Sequence, residues 1–191
     1  MGMDVYGIAP QTVGEQPQRP DNWDSLTEYE QEMYYNSLNL WEANNPGVYF
    51  RANCWSWRPI HAICDFAINI TGLPFNTDYW GSNDGKGLRN QEECNMLADA
   101  IEVYLTLNNA NMHDQDDRIY LCLGSWTTAN GHFMPQELED ELNETYPMGT
   151  ILYNGVVTKD GTLAFSSHST ALYHIQNFMT FLRKCGGFEI W

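Results

Sequence analysis

Pro59-Ile60-His61-Ala62-Ile63-Cys64-Asp65-Phe66-Ala67-Ile68-Asn69-Ile70-Thr71-Gly72 is the stretch that decides the fold. Ile60, Ile63, Cys64, Ala67 and Ile68 recur at intervals of three and four, so they fall on one face of a helix. Pro59 suits the first helical position, where its missing N–H costs nothing, and Gly72 ends the run. That apolar face needs a cover. A second helix opening at Asn90 and Glu93 offers one, because Cys94, Leu97, Ala98, Ile101 and Leu105 repeat at the same spacing. The two are expected to pack together.

The flanking segments fill in an α+β plan. Met3 to Ile8 reads as a short strand, and Pro10 to Pro20 as a Pro- and Gln-rich loop. Ser25-Leu26-Thr27-Glu28 has the form of a capping box, opening a helix that runs to Asn44 with an irregular apolar stripe and lies at the periphery. Arg118 to Leu123 is β-prone, Gly124 to Gly131 reads as an exposed loop, and Met134-Pro135 starts an acidic helix that reaches about Tyr146. Thr158-Lys159-Asp160-Gly161 sits between two β-prone runs and signals a hairpin. Ser169 is placed to cap a last helix, and Phe188 to Trp191 reads as a terminal strand. The expected fold is a single compact domain over residues 1–191, several helices packed with a small, mainly antiparallel sheet.

Charge is the outlier. The 191 residues carry 25 Asp and Glu against 9 Lys and Arg, a formal net charge of −16, which repels phosphate backbones and anionic lipid surfaces. Direct nucleic-acid binding and membrane binding are therefore disfavoured. The acidity fits simple solubility, a decoy surface imitating DNA for a basic protein partner, or divalent-cation binding; no D-x-D-x-D-G loop supports the last. No basic n-region or apolar run of about 20 residues appears, so a soluble, cytoplasmic product is expected. Cys54, Cys64, Cys94, Cys122 and Cys185 are odd in number without a C-x-x-C pair, which points to reduced thiols and no structural zinc. No cofactor motif is present.

Candidate site residues gather in two segments. Arg51, Asn53, Trp55, Trp57, Arg58 and His61 combine guanidinium groups, which pair with phosphate or carboxylate, with indoles on which a planar ligand stacks. In extended geometry the first four share a face. The plainer alternative makes the tryptophans core anchors, since large aromatics dominate cores by area. Downstream, Tyr79 and Trp80 precede Asn83-Asp84-Gly85-Lys86-Gly87, which has the glycine content of a ligand-hugging loop without the spacing of a nucleotide P-loop. Here the plainer alternative is a surface turn. Arg51 and Arg58 are a large share of the few cations, so a pocket built from both segments suits a small anionic or aromatic ligand. Binding rather than catalysis is the leading expectation; a protein-interaction or inhibitor module is the alternative, and the sequence sets no oligomeric state. A hydrolase stands third, with Cys54 beside His61 as a thiol nucleophile or His113 with Asp114, Asp116 and Asp117 holding a metal. The serines around His168 lack the G-x-S-x-G of a nucleophile elbow.

The opening Met1-Gly2-Met3-Asp4-Val5-Tyr6-Gly7, the run from Tyr49 to Pro59 and the ending from Phe181 to Ile190 together resemble a family of small uncharacterised bacterial and phage proteins. That family shares a similar opening, a Trp-Arg-Pro segment, a loop similar to Asn83-Asp84-Gly85 and a Gly-Gly-Phe ending. The resemblance spans both ends and the middle and implies no activity. It also implies that residues 11–48 are an insertion carrying the peripheral helix, since similar proteins run from the opening almost directly into the Arg-Asn-x-Trp segment.

Overall fold

In a computed structural model, which describes residues 2–108 and 118–191, five helices and nine short strands form an α+β fold among the described residues. All three sheets have three strands joined antiparallel. In the first, β1 (Gly2–Gly7) lies between β2 (Tyr49–Asn53) and the C-terminal β9 (Phe188–Ile190), with Val5 opposite both Phe50 and Ile190. The second sets β3 (Arg118–Leu121) between β5 (Ile151–Leu152) and β8 (Ser169–Ala171). The third sets β7 (Leu163–Ser166) between β4 (Trp126–Thr128) and β6 (Val156–Val157).

Helix α2 (Cys54–Thr71) buries the expected face, Ile60, Ile63, Cys64, Ala67 and Ile68, against α3 (Gln91–Leu107). Its start differs from expectation. The helix begins at Cys54 because the Asn53 carboxamide accepts from the Trp55 and Ser56 amides at 3.0 and 2.9 Å, a two-bond N-cap stronger than any signal Pro59 supplies. Pro59 therefore sits in the second turn, where it removes only the bond to the Trp55 carbonyl. Asn90 caps α3 as expected, accepting from Glu93 N at 2.9 Å.

Helix α5 (Leu172–Leu182) closes the core with Ile175, Phe178 and Phe181. Ser169 does not cap it: that residue belongs to β8, where the strand's pairing with β3 fixes it. The stretch read as an open loop over residues 124–131 contains β4, because Trp126 anchors a second small core with Cys122, Met134, Leu142 and Ala164 beneath the acidic α4 (Gln136–Thr145). All five cysteines are free thiols, and no helix among the described residues is long and apolar enough to cross a membrane.

The peripheral helix is α1 (Glu28–Asn44), with no buried residue. Its capping box is set two residues later than the sequence suggests: Thr27 accepts from Glu30 N, and the Glu30 carboxylate accepts from Thr27 N. Ser25 instead ends a 3-10 turn. The segment's roots are fastened to the body. Asn45 is buried and its carboxamide pairs with both backbone groups of Val13, while Gly47 lies against the Lys184 backbone. Because residues 13 and 45 already touch, cutting out 15–43 and joining the ends with a short Gly-Ser linker is expected to cost under about 2 kcal/mol and keep one cooperative transition. Loss of that transition on thermal unfolding would show that the segment is integral.

Candidate functional site

Arg58 leaves the second turn of α2 between two hollows. The larger, about 610 Å³, is walled on one side by the α2 N-terminus, with Asn53, Trp55 and Ser56. Its other walls come from Arg118 on β3, the 125–133 stretch with Ser125, Thr127 and Phe133, and the Ser167-His168-Ser169 connection. The smaller, about 450 Å³, joins Cys54, Trp57, Arg58 and His61 to Gly81, Ser82 and Asn83. The two sequence segments singled out above thus meet in this second hollow.

Cations define the larger hollow. Among the described residues neither Arg58 nor Arg118 has a carboxylate partner, whereas Arg51 lies 3.5 Å from Asp4 and Arg183 bridges Asp99 and Glu102 at 2.8 and 3.0 Å. Arg58 stacks over the Trp55 ring at 5.1 Å, and Arg118 donates to Ser169 Oγ at 2.9 Å. Trp55 is 71% exposed and Phe133 75%, so two large aromatic faces stand open at the rim. Deeper, the Ser125 and Ser167 hydroxyls are hydrogen-bonded to each other, and Ser167 Oγ lies 3.1 Å from His168 Nδ1. Burial of the His168 ring, then the neighbouring Arg58 guanidinium, push its pKa below the ordinary histidine range. His168 is therefore neutral at pH 7.

The remaining sequence candidates divide by location. Trp57 and Trp80 are core residues at 2% and 1% exposure, and Trp57 Nε1 donates to the Trp80 carbonyl at 2.7 Å; helical backbone, not extended chain, turns Trp57 inward and Trp55 outward. His61 sits between those two rings with Nε2 3.0 Å from the Thr77 carbonyl. Cys54 borders the same hollow as His61. Arg51 stays on the outer face of β2, and Tyr79 is exposed on the 77–82 turns. Asp84 and Lys86 line neither hollow: Lys86 forms a β-bridge with Ile190, and Gly85 N donates to the Ile190 carbonyl. The glycines of this loop serve strand contact with β9. His113, Asp114, Asp116 and Asp117 lie outside the described residues.

Sequence reasoning missed Arg118, Ser125, Phe133 and the role of His168. The scarcity of cations could have flagged Arg118. Nothing local announced the meeting of residues 125 and 167, which depends on the pairing of β4 with β7. Among the described residues no group of three or more His, Cys, Asp or Glu is arranged to hold a metal. No family model, curated protein or solved structure matches the chain, so what it does has to follow from the chemistry of these side chains.

Proposed function

We propose that the protein binds a small anionic, ring-bearing ligand of nucleotide-like chemistry in the larger hollow. The observation that carries this is two guanidinium groups, Arg58 and Arg118, facing one cavity without a carboxylate partner among the described residues, in a chain of net charge −16. Charge-assisted hydrogen bonds from both, with hydroxyls of Ser125 and Ser169 beside them, suit phosphate or carboxylate. The Trp55 and Phe133 faces suit a planar ring. A cavity of this size accommodates such a ligand, and sequestering it is the simplest role for a binding protein of bacterial or phage type.

Adenosine monophosphate and inorganic phosphate are suitable probes by thermal shift and calorimetry. Arg58→Ala and Arg118→Ala are each expected to weaken binding of the nucleotide by about 1.5–3 kcal/mol while leaving the unfolding midpoint of the free protein nearly unchanged. A parent protein that responds to no nucleotide, phosphate or carboxylate probe defeats the proposal.

A protein-interaction role is favoured by one separate observation. Tyr29, Met33 and Leu40 form an exposed stripe on α1, which carries glutamates and no basic residue. An acidic stripe of this kind suits an apolar groove with a basic rim on another protein. Removal of 15–43 would then abolish partner binding and spare ligand binding.

A further inference from the structure

We infer that Ser125 is an activated nucleophile, and that the larger hollow performs acyl transfer on small carboxylic esters that carry an anionic group. The inference rests on the anion-binding reading of the same hollow and adds a reaction to it. Three side chains make a continuous proton path. Ser125 Oγ is hydrogen-bonded to Ser167 Oγ, and Ser167 Oγ lies 3.1 Å from His168 Nδ1. All three line the hollow.

The backbone fixes this path from several sides. Ser167 N donates to the Ser125 carbonyl at 3.1 Å, tying the two serines together at the end of the β4 and β7 pairing. His168 N donates to Ser166 Oγ at 3.3 Å and the His168 carbonyl accepts from Leu121 N at 2.8 Å, which fix the His168 backbone beside the end of β3. A nucleophile oriented toward a base that is itself held by the fold is the general requirement for hydroxyl activation. Ser125 is the terminal hydroxyl of the path and lines the cavity; with Ser125 donating to Ser167 and Ser167 to His168 Nδ1, its proton has a route to the base.

The charges complete the arrangement. Burial beside Arg58 keeps His168 neutral and able to accept a proton at pH 7. The hollow holds two guanidinium groups, one for the anionic group of the substrate and one for the negative charge that develops on the carbonyl oxygen. In the first step Ser125 Oγ bonds to the acyl carbon, its proton passes to Ser167 Oγ as the Ser167 proton passes to His168 Nδ1, and the ester C–O bond breaks. The alcohol leaves with the proton returned from the imidazolium. Water then attacks the acyl carbon as its proton passes through Ser167 to His168; the bond from that carbon to Ser125 Oγ breaks, the imidazolium proton returns through Ser167 to Ser125 Oγ, and the free acid leaves.

A fluorophosphonate probe tests the assignment. The Ser125 oxygen is expected to bond to phosphorus, fluoride and the serine proton leaving as HF, with a single added mass that peptide mapping places on Ser125. Ser125→Ala and His168→Gln should each reduce labelling at least about a hundredfold, within the range general-base catalysis supplies. The parent should hydrolyse 4-nitrophenyl monosuccinate at least about tenfold faster than neutral 4-nitrophenyl valerate, the margin of one charge-assisted contact. An unlabelled parent, or a label on Ser167 or Cys54, overturns the inference. Nucleotide binding without labelling retires the reaction and leaves the binding reading standing; labelling without anion binding overturns the binding reading and with it the anionic substrate class, and leaves only Ser125 as a nucleophile. Should His168→Gln fail to fold, the parent's labelling rate decides: the lowered His168 pKa means that it should hold through the ordinary histidine range and fall only on the acid side of it, where the imidazole protonates, and a rate flat on acidification counts against the path.

Discussion

Gly87→Ala is expected to cost about 3 kcal/mol or more, enough to remove much of the stability of an ordinary domain. A methyl group built on Gly87 would sit 2.0 Å from the Phe188 carbonyl oxygen and 2.7 Å from its ring, and neither can yield. Phe188 is fully buried in β9, its amide donates to the Leu88 carbonyl at 2.8 Å, and Ile190 N donates to Lys86 O at 3.1 Å. The loop from Asn83 to Leu88 is thus pressed against the C-terminal strand as an extra, irregular partner. Relief of the clash would require breaking those bonds or displacing a core phenyl ring. Denaturant unfolding of the variant against the parent checks this, with Gly81→Ala as control, since its backbone is not left-handed and the nearest atom to the Cβ position there is His61 Nδ1 at 4.0 Å. A Gly87→Ala midpoint equal to that of the parent would mean that this loop stands away from β9.

This glycine shows where the sequence was legible and where it was not. Repeats at three and four residues reveal α2 and α3, because burial of a helical face leaves its period in the chain, and Asn90 marks its helix start because a cap is a local hydrogen bond. Gly85 and Gly87 read as a ligand-hugging loop or a surface turn, whereas what they approach is the chain about 100 residues later, and no local pattern names a partner. The same limit explains the site. Arg58 and Trp55 were readable as a cation and an aromatic side by side, yet their orientation depends on Asn53 starting the helix five residues before Pro59. Arg118, Ser125 and His168 join them only through the pairings of β3, β4, β7 and β8, which are long-range events. Trp126 illustrates a competing effect: its flanking glycines suggested a loop, and its burial against α4, with Nε1 donating to Asn143 at 2.7 Å, made a strand.

The two tryptophans two residues apart give the sharpest separation of core from site. Trp57→Ala is expected to destabilise the protein by about 4 kcal/mol, lowering the thermal midpoint by roughly 8–16 °C for a chain of this size. Its ring is sealed against Phe178 in an edge contact, centroids 5.6 Å apart. Removal leaves a cavity and strands the Trp80 carbonyl, which accepts the Trp57 Nε1–H at 2.7 Å inside the core. Trp55→Ala removes a side chain that is 71% exposed and holds only the Arg58 guanidinium at 5.1 Å, so its midpoint should stay within about 2 °C of the parent. Its effect should appear instead in nucleotide affinity, reduced about fivefold to tenfold by loss of the stacking face and of the contact that holds Arg58 in place. Thermal unfolding and calorimetry on both variants, with the same nucleotide, measure the two effects separately. A Trp55→Ala protein that binds as the parent does would remove the aromatic wall from the proposed ligand site and leave the arginines to act alone.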